Sequence, residues 1–183
     1  MPHIAIISAS IRQGRKSHRV ALYFKAYVES RQIGSAEILD LKEYNFPLFD
    51  ERLKFLPSPS SVILDFAGKI KSADGIIIVT PEYNGGYPAS LKNAVDLLYD
   101  EWHRKPVAIS TVSDGPFGGT QVITSLQFSL WKMRARTVTA TFPVTRVQDA
   151  FDEKGNPEDP SVWEKRAGNF MNELLLCIKA NTE

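Results

Sequence analysis

The chain has 183 residues, 43% hydrophobic and 23% charged, a length and balance that fit a single globular domain over residues 1–183. Its 22 basic and 21 acidic side chains leave a net charge of +1, which argues against the electrostatic footprint of a nucleic-acid binder. The opening MPHIAIISAS has too short an apolar run for a signal peptide or a membrane span. The single cysteine, Cys177, excludes a disulfide framework and a thiolate metal cluster.

Short β-rich runs alternate with helix-period segments. His3 to Ser8 (HIAIIS) predicts a buried strand, and Ser17 to Ser30 a helix with Val20, Phe24 and Val28 stacked at a spacing of four. Ala36 to Leu41 predicts a second strand, followed by the irregular stretch KEYNFPLFDERLKFLPSPSS. Ser61 to Ser72 reads as a helix and Gly75 to Thr80 as the third strand. Pro88 opens a helix with Leu91, Val95 and Leu98 on one face. Pro106 to Ser113 is the fourth strand, residues 119–133 a helix, and Thr137 to Phe142 the fifth strand. A last helix starts near Pro160, with Trp163, Ala167, Phe170, Leu174 and Cys177 as its apolar stripe.

Five strands and five helices in alternation predict a parallel sheet covered on both faces. Right-handed crossovers favour strand order 2-1-3-4-5, a flavodoxin-like three-layer α/β/α arrangement. Ligands of such sheets gather beyond the carboxyl ends of the strands, where the order reverses between strands 1 and 3. The loops leaving those two strands are the ones to read for function.

After strand 1 the chain reads SASIRQGRKSHRVA. It has no G-x-G-x-x-G, so a dinucleotide diphosphate has no glycine path of approach, and Arg15 between glycine and Lys16 breaks the P-loop pattern. What remains is Ser8, Ser10 and Ser17 with Arg12 and Arg15, ahead of a helix N-terminus. That set suits one phosphate, because helix amino ends offer free N–H groups and partial positive charge. Ser17 as a plain helix cap, with both arginines as solvated surface charge, is the alternative reading. The position after strand 1 favours the phosphate.

After strand 3 comes TPEYNGGYPASLKNAVDLL. Asn84-Gly85-Gly86 is turn chemistry, and glycine also lets backbone lie close to a ligand. Pro81, Tyr83 and Tyr87 offer flat contacts, and the amides from Glu82 to Gly85 offer donors. An ordinary strand-to-helix turn explains the same residues, but opposite a single-phosphate loop the pair of loops points to FMN.

Three motifs carry a resemblance: SxSxR in the first loop, PEYNGGYPASLKNAVD after strand 3, and GPFGG after strand 4. Together with the continuation LYDEWHRKP they resemble the NAD(P)H-dependent FMN reductase and quinone reductase family, over roughly residues 3–178. The resemblance implies FMN phosphate held by Ser10, Arg12 and Ser17. It implies ring contacts from Pro81, Glu82, Tyr83, Asn84 and Gly85, with Ser113, Asp114 and Gly115 near the ring. Relatives commonly carry Ser-x-Asn where this chain reads Ser17-His18-Arg19, so His18 joins the candidate set and Arg15 can share the phosphate.

Flavin would carry the redox step itself, from NADPH or NADH to a small-molecule acceptor, leaving the protein to bind and orient. No paired carboxylates, Ser-His-Asp set or metal-ligand spacing is needed for that, and none is found. His3 reads as structural and His103 as surface or interface; Cys177 reads as core. The aromatic stretch NFPLFDE either packs on the sheet, walls the acceptor pocket or meets a second subunit, and Trp102, Phe117 and Trp131 raise the same choice. The resemblance implies a homodimer or homotetramer, and the expected location is the cytoplasm. The competing class is a flavodoxin-like single-electron carrier; the near-neutral charge and the arginines count against it.

Overall fold

A computed structural model describes residues 1–182. The apolar run GIIIVTP becomes β3 (Gly75–Pro81), the central strand, with six of its seven residues buried. Both faces of a parallel sheet are covered by crossover helices, so such a strand has no polar side to alternate with. It pairs in parallel with β1 (His3–Ser8) and β4 (Pro106–Val112), while β2 (Ser35–Asp40) and β5 (Arg136–Val144) form the edges. The order is β2-β1-β3-β4-β5, the flavodoxin-like order expected from the alternation.

Side chains of successive strand residues point to opposite faces, and the two cores divide accordingly. Ile4, Ile6, Ile77 and Val79 join α1 (Ser17–Ser30) and α7 (Pro160–Thr182) on one side. Ala5, Ile7, Ile76 and Ile78 join α3 (Ser61–Ser72), α4 (Ala89–Leu97) and α5 (Val122–Lys132) on the other. Val20, Phe24 and Val28 of α1 are fully buried, as their spacing predicts.

Several boundaries differ from the sequence reading. Strand β2 stops at Asp40 rather than Leu41, because the Asp40 carboxylate accepts a hydrogen bond from the Lys42 amide at 3.0 Å and caps a short helix, α2 (Leu41–Tyr44). A second short helix, α6 (Val147–Ala150), follows β5, which is longer than expected at both ends and shifts register against β4 between Val107 and Ile109. Pro88 precedes α4 instead of opening it. On α7 the stripe closes on Ile178, four residues past Leu174, whereas Cys177 is only half-buried.

Trp102 is completely buried, its indole N–H donating to the Val95 carbonyl at 3.2 Å, so it is core and not interface. His3 holds a structural place at the sheet edge through Ser35 and Glu37. In the 45–51 loop, Phe46 stacks on Tyr44 and meets the edge of Phe66, whereas Leu48 stands in solvent. No helix of the described residues is long and apolar enough to cross a membrane.

Phe142 is the hub of the α1/α7 core, with ring centroids 4.9 Å from Phe24 and 5.5 Å from both Phe170 and Trp163. Phe142→Ala should therefore lower stability by about 3–5 kcal/mol. The shift of the urea midpoint at unchanged slope measures it.

Candidate functional site

The carboxyl ends of β1, β3 and β4 surround an open cleft of ≈ 330 Å³. Of the residues singled out from sequence, Ser10, Arg12, Arg15, Ser17, Pro81, Glu82, Tyr83, Ser113 and Asp114 line it. His18, Asn84, Gly85 and Gly115 do not. Gln13, Gly14, Lys16, Val112 and Val147 line it as well and were not foreseen. Lys16 was the findable one, since it directly precedes the helix start; its ammonium lies 3.6 Å from Asp114 across the cleft. Val147 arrives through α6, which no periodicity announced.

The first loop leaves β1 still paired, with the Ala9 amide donating to the Val79 carbonyl at 3.0 Å. Ser10 is 1% exposed, and its hydroxyl sits 2.7 Å from the Tyr83 phenol of the second loop. The Arg12 guanidinium lies over the Tyr83 ring, 5.5 Å from its centroid. Ser17 is the first residue of α1 and does not cap it. Its hydroxyl is buried and has no partner among the described residues. Arg19 turns away to donate to the Phe151 carbonyl at 2.8 Å.

The second loop is a tight two-residue turn. Asn84 and Gly85 both have positive φ, +54° and +81°, and Tyr83 and Gly86 exchange main-chain hydrogen bonds of 2.8 and 3.1 Å. Asn-Gly suits this geometry because both residues tolerate the left-handed region. The Tyr83 amide, offered by the sequence reading as a ligand donor, is instead used inside the turn, and Asn84 and Gly85 form its tip. In the third loop Gly119, at φ +67°, packs where a Cβ would come within 3.1 Å of the Val112 carbonyl oxygen, so only glycine brings this loop against β4. The Gly115 carbonyl accepts from the Ser113 hydroxyl and the Arg146 amide, away from the cleft lining.

Behind the first loop, Arg15 forms a two-pronged pair with Asp40. Burial alone would raise the Asp40 pKa, but the hydrogen bonds from Arg15 and the Lys42 amide, with the Arg15 charge, hold it below the ordinary carboxylate value. His18 Nδ1 lies 3.0 Å from the Ser8 hydroxyl and 3.7 Å from Asp40. Its pKa is lowered, first by burial and then by the nearby Arg15 charge, which together outweigh Asp40 and Glu43.

A family model described as NADPH-dependent FMN reductase matches residues 2–149. The chain belongs to this family. Within the NADPH-dependent FMN reductases and their kin, it is 32% identical over 148 residues to an NAD(P)H-dependent FMN reductase of Saccharomyces cerevisiae, covering 74% of this chain and 76% of that one. It is also 32% identical over 122 residues to a quinone reductase of Pseudomonas putida, covering 63% and 62%. In fold it is similar to the flavoenzyme NAD(P)H:(acceptor) oxidoreductase of Paracoccus denitrificans, with a TM-score of 0.77 over 98% of both chains at 22% identity. All three motif loops of this FMN reductase family member fall inside the matched residues.

His18 also makes a stability prediction. Its folded pKa lies below the ordinary 6.5, so near that pH the unfolded chain binds a proton that the folded chain does not. Its contribution is fully present above 6.5 and lost as pH falls below it, whereas that of Asp40 persists until pH falls below 3.8. His18→Asn should flatten the fall in urea midpoint between about pH 7 and pH 5.

Proposed function

We propose that this protein is an FMN-dependent oxidoreductase that takes electrons from NADPH or NADH and delivers them to flavin, quinone or azo-type acceptors. The observation that carries the reading is the buried, unpartnered hydroxyl of Ser17 in the cleft at the start of α1. An unsatisfied buried hydroxyl is costly, and a phosphate oxygen is the partner that a helix amino end favours. The residues present therefore fit a group with one phosphate and a flat ring.

In this reading Ser17, Ser10 and Arg12 would hold the FMN phosphate, with the first amides of α1 adding donors. Pro81, Glu82 and Tyr83 would lie along the ring, with Ser113 and Asp114 of the third loop lining the same cleft. When bound, FMN supplies hydride and electron transfer through its N5, so no side chain needs to be acid, base or nucleophile. The protein's part is to fix the ring between two loops whose backbones are locked by turn hydrogen bonds and by the close approach of Gly119. His18 and Arg15 stand behind the loop and shape it. Such an enzyme, with no membrane-crossing helix among the described residues, suits the cytoplasm.

Anaerobic mixing with NADPH or NADH tests the reading. The flavin-loaded protein should lose its absorbance near ~450 nm rapidly, as expected where the protein positions a nicotinamide against flavin. A protein that takes up FMN but stays yellow would be an electron carrier of the flavodoxin type, and one that takes up no FMN would defeat the assignment.

The protein is also proposed to assemble as a homodimer or homotetramer. On α5, Phe128 and Trp131 are 61% and 65% exposed with ring centroids 5.8 Å apart, and Phe117 of the third loop is 80% exposed. Clustered exposed aromatic surface of this kind marks association sites. Sedimentation should give a mass that is a multiple of the 20.5 kDa chain; a monomer at micromolar concentration overturns this.

A further inference from the structure

The first loop offers two arginines to the cleft, and they are not equivalent. Arg15 sends both terminal nitrogens to the Asp40 carboxylate, and these side chains are only 12% and 13% exposed. Arg15 Nη1 donates as well to the main-chain carbonyl of Ser10 at 2.6 Å. Arg12 forms no ion pair among the described residues and leans over the Tyr83 ring.

Asp40 is held in place before Arg15 reaches it. It is the last residue of β2, in register beside Ser8 of β1, and its carboxylate caps α2 through the Lys42 amide. A line of charge-assisted bonds thus runs from the end of β2 through Arg15 to the Ser10 backbone. On the cleft side, the Ser10 hydroxyl meets the Tyr83 phenol and, at 3.4 Å, the Arg12 amide. Moving Arg15 onto a phosphate would break a two-pronged pair and leave Asp40 with an uncompensated, poorly solvated charge.

We propose that Asp40 is a positioning residue for phosphate recognition. It fixes Arg15 as a brace on the Ser10 main chain and cancels the Arg15 charge, so that Arg12, Ser17 and the α1 amino end recognise the phosphate. The proposal rests on the FMN reading above. It also opposes the simplest electrostatic expectation, in which removing an acidic group beside an anion site tightens anion binding.

Titrations of the flavin-free protein with FMN and with riboflavin, which lacks the phosphate, test this through quenching of flavin fluorescence. Asp40→Asn should weaken FMN binding by about tenfold and leave riboflavin binding nearly unchanged. The double variant Arg15→Met/Asp40→Asn, which strands no buried charge and so guards against misfolding, should show the same selective loss. FMN binding equal to or tighter than that of the parent in either variant overturns the brace. So does a loss shared equally by riboflavin, which would mean general loosening. Arg12→Ala separates the two levels, since it should weaken FMN at least about tenfold. A parent that takes up no FMN defeats the FMN reading itself. If Arg12→Ala binds FMN like the parent, the assignment of the phosphate to Arg12 fails and the brace with it; if Arg12→Ala weakens FMN while Asp40→Asn does not, only the brace fails.

Discussion

The parallel pairing of β1 with both β2 and β3 is the constraint on which the molecule depends. Because β1 lies inside the sheet, the crossover to β2 carries α1 along one face, and the crossover from β3 to β4 carries α4 along the other. The loops leaving β1 and β3 must therefore diverge, and a crevice opens between them at the carboxyl edge. The candidate site residues of the first and second loops get their position from that divergence, and the loop after β4 and α6 close the cleft from the other side. The Ser10–Tyr83 hydroxyl contact then ties the two loops together across the opening.

Charge in the cleft is managed more closely than the loop composition suggests. Arg12, Arg15 and Lys16 lie within five residues, which would make a strongly positive pocket if all three faced it. Asp40 takes up Arg15, Asp114 lies opposite Lys16, and Arg12 is left over an aromatic ring. Behind them, burial and then the Arg15 charge lower the His18 pKa below its ordinary value. Among the described residues, the cleft is thus lined by Arg12, which has no ion pair, by the orphaned Ser17 hydroxyl and by the amino end of α1.

Much of the fold was legible because its signals are local. The buried runs of β1, β3 and β4, and the spacing of Val20, Phe24 and Val28, follow from burial and periodicity alone. The misses are also physical. Helices α2 and α6 are single turns too short to show a period, and α2 exists because one carboxylate caps it. Cys177 and Ile178 are adjacent apolar residues near the end of a long helix, and which of them faces the sheet depends on the rotation of α7 as a rigid body. Trp102 sits in a connecting segment, where sequence has no way to show that its indole reaches the Val95 carbonyl.

For the site, residue types and loop positions by themselves marked the loops on which the proposed chemistry rests: hydroxyls and guanidinium before a helix, and a Pro-Glu-Tyr-Asn-Gly-Gly turn after a central strand. Those signals are carried by consecutive residues, so they can be read in one dimension. The tertiary structure alone decided which arginine is free, that the Tyr83 amide is closed inside its own turn, and that Val147 reaches the cleft. The first and last depend on partners distant in the chain, Asp40 for Arg15 and Ser113 for Val147, brought close only when the strands pack side by side, whereas the Tyr83 amide closes on Gly86 within its own turn.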